Sequence, residues 1–176
     1  MKHLTSADYQ RQTWKNGKGI TTELFRVERD GSIRCRLSMA TVAEDGPFSL
    51  FPGIERNLTV LTGPGFHLSG DGIALDCRPL NPVAFPGDVP VTATGTAAGP
   101  SDDFNVMTAR DLPRPTVTAL TTPQDLPAGD LLALFALGPA ALADRALAPH
   151  DLILTQGPLA LRSGAALAIR LHGLTL

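Results

Sequence analysis

Asp45-Gly46-Pro47-Phe48-Ser49-Leu50-Phe51-Pro52-Gly53-Ile54-Glu55-Arg56-Asn57-Leu58-Thr59-Val60-Leu61-Thr62-Gly63 carries turn chemistry in its first half and a strand in its second. Gly46-Pro47 and Pro52-Gly53 punctuate the backbone, because proline fixes φ and glycine permits positive φ. From Arg56 onward the even positions Arg56, Leu58 and Val60 alternate with Asn57, Thr59 and Leu61 until Gly63-Pro64-Gly65 ends the run. Arg56 therefore shares the parity of two residues that face a core. A guanidinium there requires a carboxylate or an anionic ligand, since an unpaired buried charge costs several kcal/mol. The alternative is a strand-end arginine whose stem lies on apolar surface while its head reaches water.

The same punctuation runs through the whole chain. With 17 glycines and 15 prolines in 176 residues and no long helical periodicity, turn formers recur every several residues, which is an all-β signature. In Thr21–Glu28, Glu23 shares parity with Phe25 and Val27 and is a second charge on an apolar face. Ile33, Cys35, Leu37 and Met39 form the core side of the next strand. Its other side, with Arg34, Arg36 and Ser38, faces either solvent or a ligand cavity. Phe66-His67-Leu68 and Ile73-Ala74-Leu75 flank a hairpin turn at Ser69-Gly70-Asp71-Gly72. Gly53, which feeds the central strand, is expected to tolerate valine less well than Gly70 at that hairpin tip. Phe104 and Val106 alternate with Asp103, Asn105 and Met107, and Pro113 and Pro115 mark a boundary. Leu131–Leu137, bracketed by Gly129 and Gly138-Pro139, has the length of a strand. No lysine or glutamate follows Arg114, so the last third reads as scaffold.

Bulk properties exclude several classes. A net charge of −2 without a run of one sign argues against nucleic acid and anionic membrane as partners. The N-terminus lacks an apolar leader, and the longest apolar stretch is broken by Gly138-Pro139, so a cytoplasmic location is expected. Cys35 and Cys77 are too few for a disulfide framework and read as small buried hydrophobes. His3, His67, His150 and His172 are scattered singly with no His-x-His spacing, so no metal and no cofactor is expected. Gly-x-Ser-x-Gly is absent, and Gly17-x-Gly19 lacks the rest of a phosphate loop. What remains is a polar and cationic set, Glu23, Arg36, Ser38, Arg56, Asn105 and Arg110, interleaved with Trp14, Phe48, Phe85 and Phe104. Guanidinium forks bind carboxylates while amides and hydroxyls fix orientation, so this set suits a small organic acid. An internal salt-bridge network joining two sheets accounts for it equally well.

Several ordered blocks between residues 14 and 110 carry a resemblance. They are Trp14-Lys15-Asn16-Gly17-x-Gly19 with Thr22-Glu23, Arg36-Leu37-Ser38-x-Ala40, Gly46-Pro47-Phe48-Ser49 with Phe51-Pro52-Gly53, then Arg56, Phe85-x-Gly87-Asp88 and Asp103-Phe104-Asn105-Val106-Met107-x-x-Arg110. This pattern resembles the HutD/Ves family. The resemblance implies an all-β bicupin, with a cupin-like barrel over residues 1–112 that carries the motifs and a second over 113–176 that is mainly scaffold. It implies a metal-free branch of the cupins. It also implies a small carboxylate ligand of the urocanate or formylated glutamate class, and a regulatory or accessory role in histidine utilisation. The alternatives are a metal-independent enzyme acting on such an acid with Glu23 as general base, and a stress-linked interaction protein. The expected ligand-binding residues are Trp14, Asn16, Glu23, Arg36, Ser38, Arg56, Phe104, Asn105 and Arg110, with Glu23 and Arg56 meeting at the pocket floor. Lys18 stands where the family's loop usually has glycine, and exposed strand edges offer a route to a homodimer.

Overall fold

A computed structural model describes residues 1–14 and 19–176. In chain order its strands are β1 (Lys2–Leu4), β2 (Gln10–Thr13), β3 (Ile20–Arg29), β4 (Ser32–Val42), β5 (Gly46–Pro47), β6 (Ile54–Thr62), β7 (Phe66–Gly70), β8 (Ile73–Cys77), β9 (Val83–Pro86), β10 (Val91–Thr94), β11 (Ser101–Ala109), β12 (Thr116–Leu120), β13 (Gln124–Leu126), β14 (Leu131–Ala136), β15 (Ala140–Leu142), β16 (Ala146–Leu147), β17 (Leu152–Thr155), β18 (Leu159–Ser163) and β19 (Ala166–Leu171). A single 3₁₀ turn at Thr96–Ala98 is the only helical element among the described residues. The chain is all-β, and it forms the two units of a bicupin.

Turn chemistry sets the strand boundaries. Asp30 and Gly31, with φ of 52° and 73°, join β3 to β4 as a two-residue hairpin in which Arg29 faces Ser32. Positive φ at both central residues gives the turn whose twist matches paired strands. The Asp71-Gly72 turn joins β7 to β8 in the expected hairpin. Gly70 is more constrained than a hairpin tip should be. A Cβ there would lie 2.3 Å from the Pro90 carbonyl oxygen, whereas one on Gly53 meets nothing within 4 Å. The expected order of tolerance to valine is thereby reversed, because β10 packs its backbone against the end of β7. Gly53 does have φ of +74°, so valine there carries backbone strain without a clash.

One unit spans Gln10–Asp111. Its six-stranded sheet, β2-β3-β4-β11-β6-β9, faces the four-stranded sheet β5-β10-β7-β8. Val42, Leu58, Val60 and Phe85 from the first meet Phe66, Leu68, Cys77, Val91 and Ala93 from the second in one apolar core.

The other unit comprises Leu112–Leu176 together with Met1–Tyr9. It pairs a five-stranded sheet, β1-β17-β14-β19-β12, with a four-stranded one, β13-β18-β15-β16. Aliphatic side chains of both, among them Leu132, Leu134, Ile153, Leu142 and Leu161, fill its core. The first residues belong here because Lys2–Leu4 pairs with Leu152–Leu154, His3 Nε2 lies 2.9 Å from Asp151 Oδ2, and Tyr9 Oη donates to the His150 carbonyl at 2.6 Å. Among the described residues no helix is long and apolar enough to cross a membrane.

Candidate functional site

The inner face of the six-stranded sheet is where the displaced charges collect. Directly opposed residues share a face, so the register defines three rows of side chains. One row holds Thr21, Ala40, Asp103 and Val60. The next holds Glu23, Ser38, Asn105 and Leu58, and the third Arg26, Arg36, Met107, Arg56 and Phe85. Arg56 therefore does lie on the face of Leu58 and Val60 that builds the core, as its parity predicts. The even side of β4 also faces inward, and Arg36 and Ser38 are buried. Cys35 and Leu37 on its odd side are buried too.

Glu23 reaches this face by a different route from the one its parity suggests. The register shifts between Glu23 and Phe25, which places Glu23 opposite Ser38 but Phe25 opposite Leu37. The extra residue of the bulge puts Glu23 and Phe25 on opposite faces. Glu23 does not pair with Arg56, because β4 and β11 lie between their strands. Arg36, on the adjacent strand, takes the carboxylate instead, with Nε donating to Oε2 at 2.6 Å and Arg26 Nη1 adding a 3.5 Å contact.

Arg56 is 6% exposed and sits among three phenyl rings, its Cζ 5.2 Å from the centroid of Phe48, 5.4 Å from Phe51 and 5.0 Å from Phe85. Such faces hold a cation at about 0.5–2 kcal/mol each and fix the guanidinium plane. Its Nη2 donates to Asn105 Oδ1 at 2.9 Å and Nη1 to the Ser49 carbonyl at 3.3 Å, both neutral acceptors. Among the described residues Nε is buried without a hydrogen-bond partner. Burial pushes the guanidinium down to about 10, with Asp103 opposing that shift and Arg36 adding to it.

Compensation for this cation is indirect. Asn105 Nδ2 donates to Asp103 Oδ1, so the amide links guanidinium to carboxylate and its orientation is set by both ends. Asp103 is 1% exposed. Burial raises its carboxyl to about 7, although Arg56 and the Asn105 hydrogen bond both pull it down. Sequence reasoning passed over Asp103. The available signal was its parity with Asn105 and Met107, two residues along the same strand.

The aromatic cage is held by the paired Pro/Gly turns. Phe51 N donates to the Gly87 carbonyl and Gly87 N to the Ile54 carbonyl, each at 2.7 Å. A Cβ on Gly87 would fall 2.8 and 2.9 Å from the Phe51 and Ile54 carbonyl oxygens, so this approach requires glycine. Arg110 closes the same corner from outside. It forks onto Asp88 at 2.7 and 2.8 Å, donates from Nε to Glu55 at 2.8 Å, and its backbone N–H donates to the Gly53 carbonyl. These carboxylates raise the Arg110 guanidinium further. Arg110 is thus an exposed clamp and not part of the inner rows, in contrast to its expected role. Phe104 also departs from expectation. It opposes Met39 and Thr59, so its ring lies on the face away from Arg56.

Trp14 Nε1 donates to Thr21 Oγ1 at 2.8 Å. With Val42, Asp45, Pro47, Phe48 and Ala93 the indole lines a cavity of about 240 Å³. Phe48 is common to this cavity and to the cage around Arg56. Asn16 lies outside the described residues, as does Lys18. Among the described residues no three His, Cys, Asp or Glu side chains are grouped to hold a metal ion. The two inner carboxylates are already engaged, Glu23 by Arg36 and Asp103 by Asn105, and the guanidiniums of the same rows oppose a cation.

The family model described as HutD matches residues 6–172. An uncharacterized 21.2 kDa protein in the hutC 3′ region of Pseudomonas putida is 40% identical over 111 residues, covering 60% of this chain and 57% of that protein. The match therefore spans little more than half the length of that relative. The structure of HutD from Pseudomonas fluorescens SBW25 superposes with a TM-score of 0.86 at 29% identity, covering 97% of each chain. A conserved protein of unknown function, PA5104 from Pseudomonas aeruginosa PAO1, gives 0.85 at 32% identity over 98% of each chain. YlbA from E. coli, at 12% identity and a TM-score of 0.68, shares the fold alone.

Proposed function

The chain belongs to the HutD family, and from that premise we propose that the inner face of its Gln10–Asp111 unit binds a small organic acid of the urocanate or formylated glutamate class. We further propose that the protein acts as a regulatory or accessory component of histidine utilisation. The observation that carries the ligand reading is Arg56, a buried cation with neutral hydrogen-bond partners, an unpartnered Nε and three phenyl walls. A carboxylate placed there would accept from Nε and gain a charge-assisted pair in a low-dielectric setting. The link to histidine utilisation is supported by the relative found in the hutC 3′ region.

The second anchor supports a bifunctional acid. Strands in a sheet lie about 4.8 Å apart, so the Cα atoms of Glu23 and Arg56, three strands distant, are at least about 14 Å apart. We propose that a bifunctional acid bridges the two side chains across that span. The Glu23 carboxylate, with a side chain 19% exposed, accepts N–H donors, which urocanate supplies from its imidazole and formylated glutamate from its formamide. Ser38 and Asn105 lie in the same row to orient the ligand.

Calorimetric titration with urocanate, N-formyl-L-glutamate and glutamate, followed by chromatography of the recovered ligand, tests this. The expected result is saturable binding of one of the first two, unchanged ligand on recovery, and at least a tenfold loss of affinity in Arg56→Gln. Absence of binding for all three acids, or full affinity in Arg56→Gln, would overturn it.

A further inference from the structure

We propose that Asp103 is the proton acceptor of the acid site, so that an anion binding at Arg56 enters together with one proton taken from solvent. The proposal rests on the reading of this interior as an acid site. In the free protein Arg56 and Asp103 form a charge-balanced set joined through the Asn105 amide. An arriving carboxylate adds a second negative charge beside one buried guanidinium. Two carboxylates that share one cation away from water do not both stay ionised, and the more deeply buried one takes the proton. Asp103 is that group: its carboxylate becomes a neutral carboxylic acid, the ligand keeps its charge, and the proton comes from the buffer.

The surroundings leave Asp103 no competing partner among the described residues. From β6 the charged group facing it is Arg56, from β4 Arg36, and from β3 Glu23, which Arg36 holds at 2.6 Å, and Arg26, which is bonded to Glu28. From the facing sheet the titratable side chain is Cys77, buried in the core, with its thiol pushed up to about 12 by burial and by Asp103 itself. On its own strand, Asp102 points the other way and is held by Thr41 at 2.6 Å and Thr62 at 3.1 Å. His67, the histidine of this unit, is exposed and lies 3.3 Å from Asp76. Asp103 ionises at about 7 before ligand arrives, and a ligand anion drives that value up.

The test is calorimetry of N-formyl-L-glutamate, which has no group titrating between pH 6 and 9, in buffers of different ionisation enthalpy. At pH 8 the heat should vary with the buffer so as to report uptake of about 0.9 proton per ligand, and at pH 6 about 0.1. Affinity should be about tenfold weaker at pH 8 than at pH 6. Asp103→Asn should remove both the uptake and the pH dependence, while His67→Gln should leave them as they are. The buffer series on the unaltered chain decides the matter even if Asp103→Asn folds poorly. Binding without proton uptake at pH 8 overturns this inference and leaves the acid site standing. Failure of every acid to bind overturns both.

Discussion

Replacing Arg56 by methionine asks how much the buried guanidinium compensates Asp103. Methionine fills similar apolar space between Phe48, Phe51 and Phe85, so packing changes little. At pH 6 Asp103 is mostly protonated, and the losses are the hydrogen bond to Asn105 and the cation–ring contacts, offset by no longer burying a charge. The net effect there should stay within about 1–2 kcal/mol. Above pH 7 the sign is set by linkage. A carboxyl whose folded value is raised binds more protons than the unfolded chain, so stability falls as pH rises from the unfolded value to the folded one. The intact protein stops losing stability through this group at about 7, where Asp103 ionises beside Arg56. Without Arg56 the folded value moves higher and the loss continues at about 1.4 kcal/mol per pH unit, an additional deficit of about 2 kcal/mol by pH 8.5. Urea unfolding of both proteins at pH 6, 7 and 8.5 measures it, with Arg56→Lys as the variant that keeps the charge and should show no growing deficit. Parallel pH dependences for Arg56→Met and the parent would refute the coupling of Arg56 to Asp103.

Asp103→Asn should flatten the decline in stability between pH 4 and 7 and leave the variant relatively more stable at pH 8, as read from urea midpoints. Glu23→Gln leaves Arg36 without its carboxylate, but the pair is partly open to water, so the cost should be about 1–3 kcal/mol, below that of a fully enclosed charge. Gly70→Val should lower soluble yield more than Gly53→Val, since only the first drives a Cβ into a backbone oxygen; the opposite order would mean that β7 and β10 are not packed as described. Elemental analysis of purified protein should find no stoichiometric transition metal, because the inner carboxylates Glu23 and Asp103 stand in separate rows, engaged by Arg36 and Asn105, where a metal needs three or more converging anions and imidazoles.

Much of this was legible in local pattern. Turn formers recur at strand spacing, so the all-β class and the positions of β6, β7, β8 and β14 follow from Gly, Pro and alternation alone. The parity of Arg56 with Leu58 and Val60 placed it on the core-facing side, because a strand's period of two holds wherever the ladder is unbroken, while its burial was decided by the three rings around it. What that period does not carry is the identity of the neighbour. Arg36, not Arg56, takes Glu23 because β4 lies next to β3, and strand order is a property of the closed sheet. A one-residue bulge at Leu24 reversed the relation between Glu23 and Phe25, and nothing in the alternation announces it. Arg110 was diverted to Asp88 and Glu55 by the folding of the Gly87 corner onto Phe51, a contact between distant segments. Asp103 shows the division most clearly. As a residue it is one acidic side chain in a polar run, and only its enclosure by two sheets removes water, raises its carboxyl to about 7 and makes its charge depend on Arg56.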